Sequence, residues 1–344
     1  MAASNGRHVY VVDADTGVRL KTFNTERSVV ADVFMVSYRC PDTDAAADDP
    51  DNPDDDRGAC LDADGDIDGK LKWAYVADLG GNLYRISGAT ANTPIGTTPP
   101  DDWTMTKIAS LGCATAAPCT ANRKFMFAPD VVEKDGIYYL LIGSGDREKP
   151  LDSWPSAYGT ANRFYMIKDK ATESAWLDDT CDTGDAAPND KVICEGSLFG
   201  ITTAADPSAS ELADKKGWYL QLRDHEQAVT SAITVFGITT FSTHTPTIPV
   251  EGSCESDLGV ARVYNVRYAN AAAKPGENNN RDAQLPPDSG LPPSPVAGQV
   301  TLDDGSTYPF IIGADPASAL EGSLPSSPST GTQPKSLTYW YIQK

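Results

Sequence analysis

Short apolar and aromatic runs alternate along this chain with Gly, Asp, Asn and Pro, and helical periodicity is nearly absent. Several runs share one form. They are His8-Val-Tyr-Val-Val-Asp-Ala-Asp-Thr-Gly17, Ala74-Tyr-Val-Ala-Asp-Leu-Gly-Gly-Asn-Leu-Tyr-Arg-Ile86, Arg163-Phe-Tyr-Met-Ile-Lys168 and Ala261-Arg-Val-Tyr-Asn-Val-Arg267. Each carries an aromatic residue early, and two place an acid just before a Gly-containing turn. Gly136-Ile-Tyr-Tyr-Leu-Leu-Ile-Gly-Ser-Gly145 and Ile233-Thr-Val-Phe-Gly-Ile-Thr-Thr-Phe241 extend the set. Short antiparallel strands joined by tight turns predict an all-β fold. Units that cannot bury their faces alone must stack, which favours a β-propeller over a β-sandwich.

Long insertions interrupt the strands. Residues 41–59 form an acidic insertion, with eight aspartates and no basic residue between Asp42 and Asp56. That stretch is too highly charged to pack. Residues 274–295, rich in Pro, Asn and Gly, read as an extended loop, and Ser323 to Pro334 is similar. The apolar run Leu337-Thr-Tyr-Trp-Tyr-Ile342 reads as a last strand that docks into a sheet.

The densest candidate chemistry is Asp62-Ala-Asp-Gly-Asp-Ile-Asp68, followed by Gly69 and a strand from Trp73. Alternating carboxylates on a Gly-containing loop supply the hard oxygen ligands that Ca2+ takes. Without a cation these acids repel one another. The competing reading is an exposed acidic turn.

Composition narrows the function classes. The chain has 28 Lys and Arg against 48 Asp and Glu, a net charge of −20, which disfavours nucleic-acid or anionic-membrane partners. At 344 residues it is long enough to bury a real core. Cys40 and Cys60 bracket the acidic insertion, Cys113 lies near Cys119 and Cys181 near Cys194, leaving Cys254 over. Local pairs in loops suit an oxidising compartment, and the clustered spacing of a zinc site is lacking. No run is apolar and long enough to span a bilayer, and no signal peptide is present. The abrupt opening into a strand at Val9 reads as part of a longer protein. His8, His225 and His244 are expected in structural roles. No nucleophile elbow, phosphate loop or HExxH motif appears, so no enzyme is expected. Trp154, Trp176 and Trp340 are candidates either for an adhesive surface or for core packing.

The acidic loop running into Tyr75-Val-Ala-Asp-Leu-Gly-Gly-Asn-Leu-Tyr-Arg85 resembles the C-terminal β-propeller of the PilY/PilC-type tip-associated proteins of bacterial type IV pili. Further matches follow in family order: Val9 to Gly17, Ala128-Pro-Asp-Val131, Leu141-Ile-Gly-Ser-Gly145, Gly217-Trp-Tyr-Leu-Gln-Leu222, Ala228-Val-Thr-Ser231, Thr239 to Pro246 and the Ala261–Arg267 strand. The resemblance covers roughly residues 5–270 and implies a propeller of quinoprotein-like type over residues 5–344. That propeller is expected to be partial or modified, because the chain begins at what looks like a middle blade.

The resemblance also implies a Ca2+ site formed by Asp62, Asp64, Asp66, Asp68 and Lys70. Counting back from Asp78 puts Asp64, Asp66 and Asp68 at loop positions one, three and five, Gly69 at six, the Lys70 carbonyl at seven and Lys72 at nine. Starting at Asp62 puts Asp68 at seven and Lys70 at nine. Neither register is complete, so an outside carboxylate or water is expected to fill the gap. The function implied is a part in pilus biogenesis, extension and retraction, and surface adhesion. Minor pilins of a tip complex and a host or abiotic surface are the implied partners. The implied location is exported, at the cell surface, pilus tip or outer membrane. The alternative is a secreted scaffold or lectin-like propeller with no pilus role. A quinoprotein dehydrogenase ranks lower, because the adjacent cysteine pair found in many of them is missing.

Overall fold

The structure, a computed structural model, describes residues 6–37, 71–112, 122–149, 155–178, 191–202, 205–247, 258–275, 280–287, 289–301, 307–315 and 322–323. Its strands form five sheets, each built from strands that are consecutive in the chain. The first sheet pairs β1 (His8–Val12) with β2 (Arg19–Asn24). The second is a meander of β3 (Phe34–Ser37), β4 (Leu71–Ala77), β5 (Asn82–Ser87) and β6 (Thr104–Ser110).

The third sheet runs through β7 (Asp130–Lys134), β8 (Ile137–Gly143) and β9 (Arg163–Asp169). It is completed by β10 (Phe199–Ile201) and β11 (Gly217–Gln221). The fourth sheet holds β12 (Gln227–Ala228), β13 (Ile233–Val235), β14 (Ile238–Thr245), β15 (Val260–Arg267) and β16 (Asp282–Gln284). The fifth is β17 (Val296–Thr301), β18 (Thr307–Ile312) and β19 (Gly322–Ser323).

The all-β expectation holds, and the packing explains the sequence pattern. On β4, Trp73, Tyr75 and Ala77 enter one core cluster, while Ala74 and Val76 enter another. On β9, Tyr165 and Ile167 face the first cluster, and Phe164 and Met166 face a third. Alternate side chains of one strand point to opposite faces, so the second and third sheets are buried on both faces. Their strands therefore read as continuous apolar runs. The cluster shared by the first and second sheets includes Val9, Phe23, Val76 and Ile86. The next, between the second and third, includes Trp73, Tyr75, Leu140 and Ile167. The last, between the third and fourth, includes Phe164, Trp218, Phe241 and Tyr264. This face-to-face stacking of successive meanders is a blade arrangement. A two-layer sandwich would leave one face of each sheet to solvent. Among the described residues the sheets are not assigned to a closed ring.

Several local expectations change. The run Ile233–Phe241 lies on the hairpin β13–β14. Its turn sits at Phe236 and Gly237, with φ of 50° and 83°, the paired positive values a tight two-residue hairpin needs. One pairing, β10 with β11, is parallel rather than antiparallel. Residues 274–295 are not loop throughout, because β16 adds an edge strand to β15 through Asp282, Ala283 and Gln284. A short helix, α1 (Ala209–Ala213), opens on a capping box. The Ser208 hydroxyl accepts from the Glu211 amide at 3.3 Å, and the Ser208 amide donates to Glu211 Oε2 at 2.8 Å.

Candidate functional site

The residues expected to hold Ca2+, namely Asp62, Asp64, Asp66, Asp68 and Lys70, lie outside the described residues, as does the 41–59 insertion. So do Trp154, Trp340, the Leu337–Ile342 run and every cysteine except Cys194, which is disulfide-bonded. Description resumes at Leu71, the first residue of β4. Lys72, at position nine of one loop register, binds Glu133 Oε1 on β7 at 3.0 Å. Burial works against the charge of Lys72, but hydrogen bonds with Tyr138 and Glu133 outweigh it and raise the pKa. That ammonium is thus committed to the contact between the second and third sheets.

Asp78 directly follows β4 and is fully buried. Its Oδ1 accepts from the Gly80 amide at 2.8 Å, the Asn82 amide at 3.1 Å and Asn82 Nδ2 at 3.1 Å. Its Oδ2 accepts from the Tyr84 hydroxyl at 2.9 Å, the Arg27 amide at 3.1 Å and Asn82 Nδ2 at 3.1 Å. A carboxylate offers about four lone-pair positions, so this one is saturated by the protein. It organises the β4–β5 turn and ties it to the segment after β2. Burial, then the Asp78 charge, pushes the Tyr84 hydroxyl far above its ordinary pKa. Gly81 has a φ of +73°, and a Cβ there would sit 2.4 Å from Gly112 Cα, so only glycine permits this approach.

The β1–β2 turn uses the same device at the surface. Asp13 Oδ1 accepts from the Thr16 amide at 2.7 Å, the Thr16 hydroxyl at 2.6 Å and the Asp15 amide at 3.2 Å. These bonds, the Thr16 hydroxyl first, lower the Asp13 pKa. The acids before Gly-containing turns therefore act as turn clamps.

Between the second and third sheets, NH1 of Arg85 on β5 donates to both carboxylate oxygens of Asp169 on β9, with Oδ2 at 2.6 Å. Tyr75 donates to Asp169 Oδ2 at 2.8 Å, and Arg85 NH2 donates to the Ala91 carbonyl at 2.8 Å. The guanidinium lies 5.2 Å from the Trp73 ring centre. Burial first, then the Asp169 charge, raises the Tyr75 pKa.

The histidines hold structural contacts. His8 Nδ1 meets Asn24 Oδ1 at 2.8 Å, and His244 Nε2 donates to the Leu258 carbonyl at 2.7 Å. His225 stacks on Tyr158 at 3.7 Å and donates from Nδ1 to the Tyr158 carbonyl at 2.8 Å. Trp176 is partly buried against the core and donates to the Lys168 carbonyl at 2.8 Å, so it packs rather than standing free.

Sequence reasoning missed a polar cleft of about 120 Å3 lined by Asn122, Lys124, Asp146, Thr160, Asn162 and Gln227. It opens where the loop after β8 meets the segment before β9 and the start of β12. The Gly143-Ser-Gly145 turn builds it, because a Cβ on Gly145 would lie 2.2 Å from the Ala228 carbonyl oxygen. The Asp146 amide donates to Gln227 Oε1 at 2.7 Å, and the Ala228 amide donates to the Ser144 carbonyl at 3.0 Å. Next to Gln227, fully buried Glu226 accepts from the Thr243 hydroxyl at 2.5 Å and the Tyr264 hydroxyl at 2.9 Å, pinning that wall.

Asp146 is 5% exposed. Its Oδ2 binds Lys124 Nζ at 2.5 Å and lies 3.6 Å from Lys149 Nζ, while Oδ1 has no hydrogen-bond partner among the described residues. Leaving a buried acceptor unsatisfied costs on the order of 1–3 kcal/mol, more for a charged group. A signal was present in the sequence, since Asp146 directly follows a Gly-Ser-Gly turn at a strand end.

The fold and these sites define an all-β protein of stacked meander sheets held by buried acids at turns and sheet junctions. No family model matches the sequence, and no curated protein matches it. Among solved structures, the C-terminal domain of Pseudomonas aeruginosa PilY1 is similar to this chain. The likeness has a TM-score of 0.48 and 15% identity, and covers 89% of this chain and 65% of that one. The chain therefore spans slightly less than two thirds of that domain, and residue roles here rest on the chain's own contacts.

Proposed function

We propose that this chain is a calcium-binding component of type IV pilus biogenesis and surface adhesion. In this reading it is exported and acts at the pilus tip or cell surface, with minor pilins and a surface receptor as partners. It serves as a binding and assembly module rather than an enzyme. The observation that carries this reading is the ordered run of family-like motifs, anchored by the acidic Asp62–Asp68 loop that leads directly into the β4–Asp78–β5 hairpin.

The donor set fits the ion, since four carboxylates within seven residues are hard oxygen ligands. Asp78 is saturated by protein donors, which leaves the acidic run as the candidate binder. When bound, Ca2+ offsets the repulsion among these acids. The chain's own contribution is a rigid attachment point: β4 is buried from Trp73 onward and its turn is clamped by Asp78.

Isothermal titration with Ca2+ tests the site, using the chain and its Asp64→Ala/Asp66→Ala variant. Binding by the chain and its loss in the variant are expected. Flat, indistinguishable traces would sink the calcium site. Pilus function is tested separately by affinity capture of the tagged chain from cells expressing minor pilins. Enrichment of those pilins over an unrelated β protein is expected, and equal recovery refutes the pilus role.

A further inference from the structure

The cleft at Asp146 belongs to neither the calcium loop nor the turn clamps. Among the described residues, Asp146 Oδ1 is a buried acceptor without a donor, while Oδ2 of the same carboxylate binds Lys124 Nζ at 2.5 Å. The amide walls are already occupied. Asn162 Nδ2 donates to the Thr160 and Glu226 carbonyls at 3.3 and 3.2 Å, and Asn162 Oδ1 accepts from the Ser144 hydroxyl at 3.0 Å. Gln227 Oε1 accepts from the Asp146 amide at 2.7 Å. The walls are held in place, and the missing group is a donor to Oδ1.

A metal cation is a poor candidate for that donor position. Two ammonium groups, of Lys124 and Lys149, lie 2.5 and 3.6 Å from Oδ2, so a further positive charge meets repulsion from both. An anion is disfavoured by the carboxylate itself. A neutral hydroxyl suits both halves of the pair, because it donates to Oδ1 and accepts from a Lys124 N–H. A cavity of about 120 Å3 admits the edge of one sugar ring rather than a chain of rings.

We propose that this cleft is a binding subsite for a neutral, hydroxyl-rich ligand, a saccharide that places adjacent ring hydroxyls between Asp146 and Lys124. The proposal does not depend on the pilus reading or on Ca2+.

Saturation-transfer NMR on the whole chain tests it. The probes are the methyl glycosides of mannose, galactose and fucose, with 2-methyltetrahydropyran as the hydroxyl-free control, each with and without EDTA. At least one glycoside is expected to show transfer without the control doing so, unaffected by EDTA. Its affinity is expected to weaken about tenfold or more in Asp146→Asn, which turns an acceptor into a donor, and in Lys124→Met. Lys124→Met keeps the Asp146 loop and serves as the decisive variant if Asp146→Asn fails to fold. No transfer from any glycoside, equal transfer from the control, transfer abolished by EDTA, or unchanged affinity in Lys124→Met would each overturn the proposal.

Discussion

The Arg85 guanidinium and the Asp169 carboxylate are each 1% exposed and pair across the boundary between the second and third sheets. Packing shields both from solvent, so the carboxylate depends on Arg85 and Tyr75, and the guanidinium on Asp169 and the Ala91 carbonyl, for solvation. Buried pairs of this kind specify which sheets meet more than they add stability, since desolvation offsets most of the attraction.

Removing one partner leaves the other charge uncompensated. Asp169→Leu or Arg85→Leu is expected to cost about 3–5 kcal/mol in urea unfolding. The double variant Arg85→Leu/Asp169→Leu is expected to lie closer to the unmodified chain than either single one. A double variant as unstable as the sum of both singles would contradict this account.

Asp78 makes the opposite demand, because every donor around it needs an acceptor. Asp78→Asn places an amide N–H2 among donors from Gly80, Asn82, Arg27 and Tyr84. It is expected to cost roughly 1.5–3 kcal/mol, nearly as much as Asp78→Ala. Asp13→Ala, at the exposed counterpart turn, is expected to cost distinctly less. Thermal unfolding of the three variants side by side checks the ranking.

Alkaline pH is expected to unfold the protein. Burial is the first cause raising the pKa of Tyr75, Tyr84, Tyr138, Tyr139, Tyr165, Tyr264 and Tyr268 above the ordinary 10.0. A raised pKa in the folded state means the stability is fully present below about pH 10 and is lost as pH rises from there through the folded values. Tyrosinate absorbance from these seven phenols should therefore rise only above about pH 10, together with the loss of near-UV circular dichroism as the fold opens. A single transition near pH 10 with intact near-UV circular dichroism would contradict the burial of these phenols.

Calcium removal is expected to act locally first. With a Kd on the order of 10⁻⁴–10⁻³ M, typical of extracellular modules, about 2 mM Ca2+ stabilises by roughly 0.6–1.8 kcal/mol. Chelation should speed hydrogen exchange near Asp62–Asp78 before any change in β8 or β9. Uniform exchange across the chain with and without Ca2+ would remove the loop from this role.

The strand content was legible from residues alone. Aromatic-rich runs such as Trp73–Ala77 and Arg163–Ile167 have strong β preference and are bounded by turn residues. The position of the turn inside Ile233–Phe241 was not legible, because Phe236 takes a positive φ, which a bulky residue rarely adopts. The edge strand Asp282–Gln284 was hidden in a Pro-rich segment, since an edge needs pairing on one side only and leaves little apolar signature. The cleft left only the Gly-Ser-Gly before Asp146 as a signal, because Lys124, Asp146, Asn162 and Gln227 are distant in sequence and polar, with no periodicity to connect them.

The sequence by itself determined an all-β chain with acids at its turns and a concentrated acidic loop, because strand propensity and turn chemistry act over a few neighbouring residues. Tertiary structure decided which acids are already satisfied. Asp78 proved saturated by its own hairpin and the Arg27 amide, Asp169 by Arg85 from another sheet, and Asp146 kept one oxygen open among the described residues. A carboxylate's role depends on the donors that packing brings to it, and those come from segments the chain order does not place together.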